Sequence, residues 1–206
     1  MAACAPACFG QSSVSYSDSI GLQTTTWDDT VTIPMFDPAL GELVGIDFSL
    51  TGQLDGSAAF ESLDNSPAEV MIDFSGEITL YRPDLTEIVT AIPLLSNSMN
   101  VTAYDGLSDF GGTSGATFNN LQAEQTESIS SGAESADLPL FTGPGTIDLP
   151  VGAAGTSMGS GGGNLILQFL QEGAAAVEVT YHYVPEPATM GLVLVSSLVT
   201  VFRRRR

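Results

Sequence analysis

The sequence predicts an all-β protein, an antiparallel β-sandwich of jelly-roll-like kind followed by one hydrophobic helix at the C-terminus. Three observations predict it. Short apolar–polar alternations with a two-residue period recur through the body of the chain, as strands with one buried face require. Clusters of Gly, Pro, Asn and Asp separate them. No apolar stripe of 3.6-residue period persists for three turns in that body, whereas residues 188–202 are apolar or small throughout.

Residues 1–13 read as the end of an export signal. The opening MAACAPACFG is small and weakly apolar, and both Ala5-Pro6-Ala7 and Cys8-Phe9-Gly10 fit the small-x-small pattern before a signal-peptidase cut. A charged n-region and a long apolar h-region do not precede them, so only the c-region would be present, with the true start upstream. Two alternatives stand beside this reading: Ala2-Ala3-Cys4 as a lipobox remnant with Cys4 lipidated, and an ordinary disordered N-terminus. Cys4 and Cys8 are the only cysteines, so the body is expected to need neither a disulfide nor thiol chemistry.

Residues 14–183 are expected to form one domain, since 206 residues hold one ordinary core and no second once the ends are set aside. Val31 and Ile33 alternate with Thr30 and Thr32. Ile46, Phe48 and Leu50 alternate with Asp47, Ser49 and Thr51, and Val70, Ile72 and Phe74 repeat the rule. Ile78 and Leu80, Ile88, then Leu165, Leu167 and Phe169, and finally Val177, Val179, Tyr181 and Tyr183 continue it. Turns are expected at Pro38 with Gly41, Gly52, Asp55-Gly56, Asn65 to Pro67, Gly111-Gly112, Gly143-Pro144-Gly145 and Gly159 to Gly163. Leu107 to Glu134, richer in Ser, Gly and Thr, reads as a long surface excursion with one strand, onto which Phe110, Phe118 and Leu121 could dock. Gly159 to Gly163 reads as a flexible loop; it lacks the Lys-Ser/Thr of a phosphate-binding loop.

Charge narrows the function. The chain has 24 acidic residues against five arginines, of which Arg203 to Arg206 form a terminal block and Arg82 alone lies in the body. That surface repels phosphate, so nucleic-acid binding through a basic patch is excluded. The carboxylates keep an exported protein soluble, and structural calcium is the cofactor their chemistry allows. Asp28, Asp29, Asp37, Asp64 with Asn65, Asp105 and Asp109 qualify by type, although Asp105-Gly106-Leu107-Ser108-Asp109 lacks regular metal-loop spacing and a terminal glutamate. With one histidine and no cysteine in the body, zinc has no ligand set. His182, on a strand face with Glu178 and Thr180, is expected on the solvated side, and no Gly-x-Ser-x-Gly elbow offers it a serine. Paired carboxylates for glycoside hydrolysis depend on a spatial separation that the sequence does not single out. Trp27, the single tryptophan, is expected in the core or at a sheet edge.

The C-terminus is the most specific feature. Pro185-Glu186-Pro187 holds the chain extended. Residues 188–202 follow, with Met190, Leu192, Val193, Leu194, Val195, Leu198, Val199, Val201 and Phe202 as the apolar side chains. As a helix this run spans roughly 22 Å against a hydrocarbon core of roughly 30 Å. Arg203, Arg204, Arg205 and Arg206 compensate by snorkelling to headgroups on the cytoplasmic side. Motif, apolar helix and basic end, in that order over residues 184–206, closely resemble the PEP-CTERM sorting signal. The resemblance implies an exported bacterial protein held at the inner membrane, processed near the motif by an exosortase, and delivered to the cell surface or beyond. The protein would be the substrate of that enzyme, and not itself an enzyme.

The body resembles a second family. Trp27 with a Thr-rich strand, Phe36-Asp37-Pro38 with Leu40-Gly41, Leu43 leading to Ile46, Phe48 and Leu50, and the closing Asn164, Val177, Val179 and Tyr181 look like the bacterial choice-of-anchor E domain over roughly residues 14–183. That resemblance implies location and fold class but no chemistry. The expected role is structural or interactive, in the extracellular polysaccharide with which the sorting system is associated. A carbohydrate-binding module and a secreted hydrolase are the alternatives.

Overall fold

The computed structural model of the protein describes residues 10–186. The expected C-terminal helix, the arginine block, Pro187 and the N-terminal cysteines lie outside the described residues. Ten strands account for most of the rest: β1 (Ser12–Thr24), β2 (Trp27–Pro34), β3 (Gly41–Ser62), β4 (Ala68–Tyr81), β5 (Glu87–Ala91), β6 (Leu94–Val101), β7 (Gly115–Ser131), β8 (Thr146–Gly155), β9 (Met158–Ser160) and β10 (Leu165–Pro185). A four-residue helix, α1 (Asp137–Leu140), joins β7 to β8, and Asp37 caps a 3-10 turn at Pro38–Leu40.

All pairings between these strands are antiparallel. Sheet A has the order β1-β10-β3-β7, and sheet B the order β2-β8-β4-β5 with β6 and β9 also on β4. β9 pairs with β4 in the register that β8 began, and β6 continues the register of β5. The two interruptions are local: Ser157 Oγ takes the Ser75 N–H at 2.9 Å, and Gly76 N–H donates to the Pro93 carbonyl at 3.3 Å. Sheet B is thus four continuous strands, and two four-stranded sheets with long-range exchange between them are a jelly-roll sandwich.

The core lies where the inner faces meet. Ile46, Phe48, Leu50, Val70, Ile72, Phe74, Ile78, Leu80, Val177, Val179 and Tyr181 are all buried, as the alternation requires. Tyr16, Phe36 and Phe141 surround Tyr181 with ring centroids 5.9–6.5 Å away, and Tyr183 packs on Phe36 at 5.3 Å. Burial pushes the Tyr181 phenol up, and its hydroxyl donates to the Pro34 carbonyl at 2.9 Å. That bond satisfies the one polar atom the ring carries inward.

Three expectations need correction. Gly52 and Asp55-Gly56 are not turns; they lie within the 22 residues of β3, because those glycines admit close neighbours from other strands. The excursion from Leu107 to Glu134 is largely β7, a 17-residue strand paired along β3. Its Ser- and Thr-rich outer positions masked the alternation, while Leu121 and Ala123 are buried. The glycine loop begins later than expected, since Met158–Ser160 is strand β9.

Candidate functional site: the outer face of sheet A

Register makes this face regular. Residues opposite one another across β1, β10, β3 and β7 form rows: Ser15, Thr180, Asp47 and Ser130; Ser17, Glu178, Ser49 and Ser128; Ser19, Ala176, Thr51 and Thr126. Past the bulge in β1, Glu172, Asp55 and Gln122 close the pattern. Neighbouring strands lie about 4.8 Å apart and same-face residues on one strand about 6.7 Å apart. The face is a lattice of hydroxyls and carboxylates with no aromatic ring, lysine or arginine in these rows.

The hydroxyls are already oriented. Ser15 and Thr180 hydroxyls lie 2.7 Å apart, Thr51 and Thr126 likewise 2.7 Å, and Ser128 donates to Ser49 at 3.1 Å. His182 Nε2 meets Asp47 Oδ2 at 2.7 Å. The Ser130 hydroxyl first, and then His182, hold the Asp47 carboxyl below its ordinary value. His182 is half-buried on the predicted face, and its partner is a carboxylate and not a serine. Sequence reasoning placed Thr180, Glu178 and His182 together but missed the lattice. The signal was there in Ser13-Val14-Ser15-Tyr16-Ser17-Asp18-Ser19, whose odd positions all carry hydroxyls.

A second cluster holds the loop between β6 and β7. Glu61, fully buried near the end of β3, accepts from Ser114 Oγ at 2.6 Å and from the Phe110 N–H at 2.9 Å. Asp105 accepts from the amides of Leu107 and Thr113, which depress its carboxyl. Asp109 accepts from Gly111 N–H at 3.0 Å. The acidic loop is therefore folded on its own backbone. Glu61→Gln is expected to lower stability by about 1–2 kcal/mol, because the amide end that replaces one oxygen cannot accept. Amide exchange of Phe110 should accelerate more than that of the β3 core.

The other calcium candidates are dispersed. Asp29 accepts from Gln23 and Thr30, which lower its carboxyl; Asp37 caps the 3-10 turn; Asp64 accepts from Gly163 N–H. Among the described residues no three His, Cys, Asp or Glu side chains converge as a metal group. Trp27 is buried, and its Nε1–H donates to the Gly173 carbonyl at 3.1 Å, so it makes no exposed stacking platform.

A cleft of about 280 Å³ opens where the chain leaves β1 for β2, lined by Thr24, Thr25, Thr26, Ser157, Phe169 and Gln171 among others. Gln171 spans it, donating to the Ser75 carbonyl at 2.8 Å and accepting from Ser157 Oγ at 3.3 Å.

The stretch expected to be a sorting motif begins within the sandwich. Val184 and Pro185 complete β10, opposite Glu42 and Gly41, and Glu186 is exposed just beyond. Pro185 is half-buried, so the extended conformation expected of it is in part imposed by β3. Among the described residues no helix is long and apolar enough to cross a membrane.

The sequence matches no protein-family profile and no curated protein. Among solved structures, the structure of infectious bursal disease virus Gx strain is similar at 13% identity over 95% of this chain and 49% of that one, with a TM-score of 0.19. The VP2 subviral particle of infectious bursal disease virus is similar at 14% identity over 97% of this chain and 49% of that one, again at a TM-score of 0.19. The chain spans about half the length of the structures it matches, and the fold assignment rests on the strand order above.

Proposed function

We propose that the protein is an exported bacterial envelope protein, sorted through its C-terminal PEP-CTERM-like signal by an exosortase, whose sandwich serves as an interaction module in the extracellular polysaccharide matrix. The observation that carries the interactive role is the outer face of sheet A. Its oriented hydroxyls and carboxylates offer donors and acceptors at strand spacing across four strands, which suits the hydroxyl rows of an extended glycan. The burial of Trp27 favours this reading over a module that grips sugar rings by aromatic stacking. The protein acts by adhesion and not by catalysis.

Sorting is tested by the mass and location of the protein in its native cells, beside a variant with Pro185, Glu186 and Pro187 replaced by alanine. The expected result is a wild-type mass lacking the residues after about the motif, and a variant retained in the inner membrane. Full-length membrane-bound protein in both strains would sink the proposal. Adhesion is tested by co-sedimentation with the cells' own polysaccharide. Thr51→Lys with Ser128→Lys should reduce binding by roughly tenfold, about 1.4 kcal/mol, while leaving the thermal transition nearly unchanged. Equal retention of wild type and variant would remove the face from the interaction.

A further inference from the structure

One stretch of sheet A has an open edge. β1 covers β10 only from Tyr183 back to Glu172, where the chain crosses to sheet B. Leu165–Leu170 keep β3 on one side and, among the described residues, have no paired strand on the other. The Thr25 N–H donates to the Gln171 carbonyl at 3.1 Å, so the backbone groups of Gln171 face the side of β1. By the two-residue period those of Phe169, Leu167 and Leu165 face it too.

This edge lacks the usual protection. It has no charge, proline or register shift, whereas β7 bears Glu124 and Glu127, and β2 bears Asp28, Asp29 and Pro34. Ile166, Leu167 and Leu170 are 37%, 37% and 62% exposed. Leu165, Leu167 and Phe169 share the inward face as expected, with Leu165 and Phe169 packed against the core and Leu167 against Gly159, yet Leu167 stays partly exposed where β1 has already left the sheet.

We infer that this strip pairs with the same strip of a second copy, antiparallel about a two-fold axis through Leu167. Only an axis at the central residue engages the free N–H and C=O groups of Leu165, Leu167 and Phe169 on both copies at once. It sets Leu165 against Phe169 of the second copy and Leu167 against its own equivalent, so the three hydrogen-bonded pairs are apolar, while Ile166 stands opposite the uncharged Gln168. Asn164 of the second copy then falls opposite Leu170, and the pairing ends there, because Thr25 already holds the Gln171 carbonyl and the chain before Asn164 is the glycine turn Gly161–Gly163, which can bend away. Charge selects the same contact. Two chains of formal net charge −19 repel, and they approach closest along an edge that carries no acid. Pairing joins the two A sheets into one of eight strands and is isologous, hence closed at two copies.

The test uses the full chain in nonionic detergent, with Cys4 and Cys8 replaced by serine. Leu167→Cys is expected to give a disulfide-linked dimer as the main product of mild oxidation, because directly opposed hydrogen-bonded residues sit about 5.5 Å apart at Cα, within disulfide reach. Leu22→Cys, on an exposed part of β1, should not. By sedimentation, the unmodified chain should shift from monomer towards dimer as salt rises from about 0.05 M to about 0.5 M, since screening weakens the repulsion. Leu167→Pro should stay monomeric with its fold intact, since it removes an N–H that the protomer does not use. A monomer at every salt concentration with no cross-link at Leu167 overturns the inference. So does a dimer that Leu167→Pro leaves unchanged. A monomer whose Leu165, Leu167 and Phe169 amides exchange slowly would put a segment of the same chain on the edge, and overturns it equally.

Discussion

Arg82→Ala is expected to lower the stability of the sandwich by about 3 kcal/mol, a fall in Tm of about 6–12 °C for a chain of this size. Arg82 is the only cation among the described Lys and Arg positions, and it follows β4 directly. Its Nε and Nη2 donate to the two oxygens of Asp137 at 2.6 and 3.0 Å, and its Nη1 donates to the Glu87 carbonyl at 2.7 Å. Asp137, at the start of α1, also accepts from Ser131 Oγ at 2.6 Å and from Ser135. One guanidinium therefore fastens the β4–β5 hairpin of sheet B to the segment that leaves sheet A after β7. Removing it strands a carboxylate whose side chain is only 6% exposed. Lysine should restore little, because a point charge does not reproduce the two-pronged contact.

The same pair sets an acid limit. The Arg82 guanidinium, with Ser131 and Ser135, holds the Asp137 carboxyl down at about 2 from an ordinary 3.8. A depressed carboxyl contributes stability that is fully present above its unfolded value and is lost as pH falls through the folded one. Wild type should therefore lose roughly 2 kcal/mol between about pH 4 and pH 2 through this group. In Arg82→Ala the loss over that window should be smaller, because the carboxyl returns towards its ordinary value. Urea midpoints at pH 6, 4 and 2 would check both statements; parallel pH profiles for the two proteins would contradict them.

Gly56→Ala is expected to cost about 3 kcal/mol, the upper end for overpacking, whereas Gly52→Ala should cost about 1 kcal/mol. A Cβ at Gly56 would run into the backbone carbonyl of Leu170 on β10, which cannot turn aside without breaking the β3–β10 ladder. At Gly52 the nearest atom is Ile78 Cδ1 at 2.8 Å, the far end of a side chain that can change rotamer. Chemical denaturation of the two variants decides it; equal costs would show that the ladder yields as readily as a side chain.

Those glycines also mark where sequence reading fell short. Alternation located Ile46 to Leu50, Val70 to Phe74 and Val177 to Tyr181 correctly, because one buried face dictates every second residue. It could not separate a glycine that reverses the chain from one that lets a neighbour close in, since both are the same residue in the same polar setting. Asp55-Gly56 has the chemistry of a hairpin turn, yet β10 running alongside keeps it extended. β1 and β8 were not singled out although Val14, Tyr16, Ile147, Leu149 and Val151 alternate, because the polar half of each repeat is Ser, Asp, Gly or Pro and dilutes a strand signal. At the bulge in β7, Asn120 takes a φ of 57°, a conformation asparagine tolerates better than most residues. The Asn119-Asn120 pair was the only local hint. The hydroxyl lattice was half legible: single strands showed their Ser and Thr positions, but adjacency across β1, β10, β3 and β7 is a property of the strand order.

The length of β10 has a mechanical consequence. Its 21 residues, roughly 65 Å when extended, run without interruption from the glycine turn to Pro185, with β3 antiparallel along their whole length. A tether attached beyond Pro185 would pull β10 along its own axis. The hydrogen bonds to β3 and β1 would then bear the load side by side, in shear, and would have to give way together instead of peeling apart in turn. A body hung from that strand would hold against drag on its far face for as long as the ladder holds as a unit.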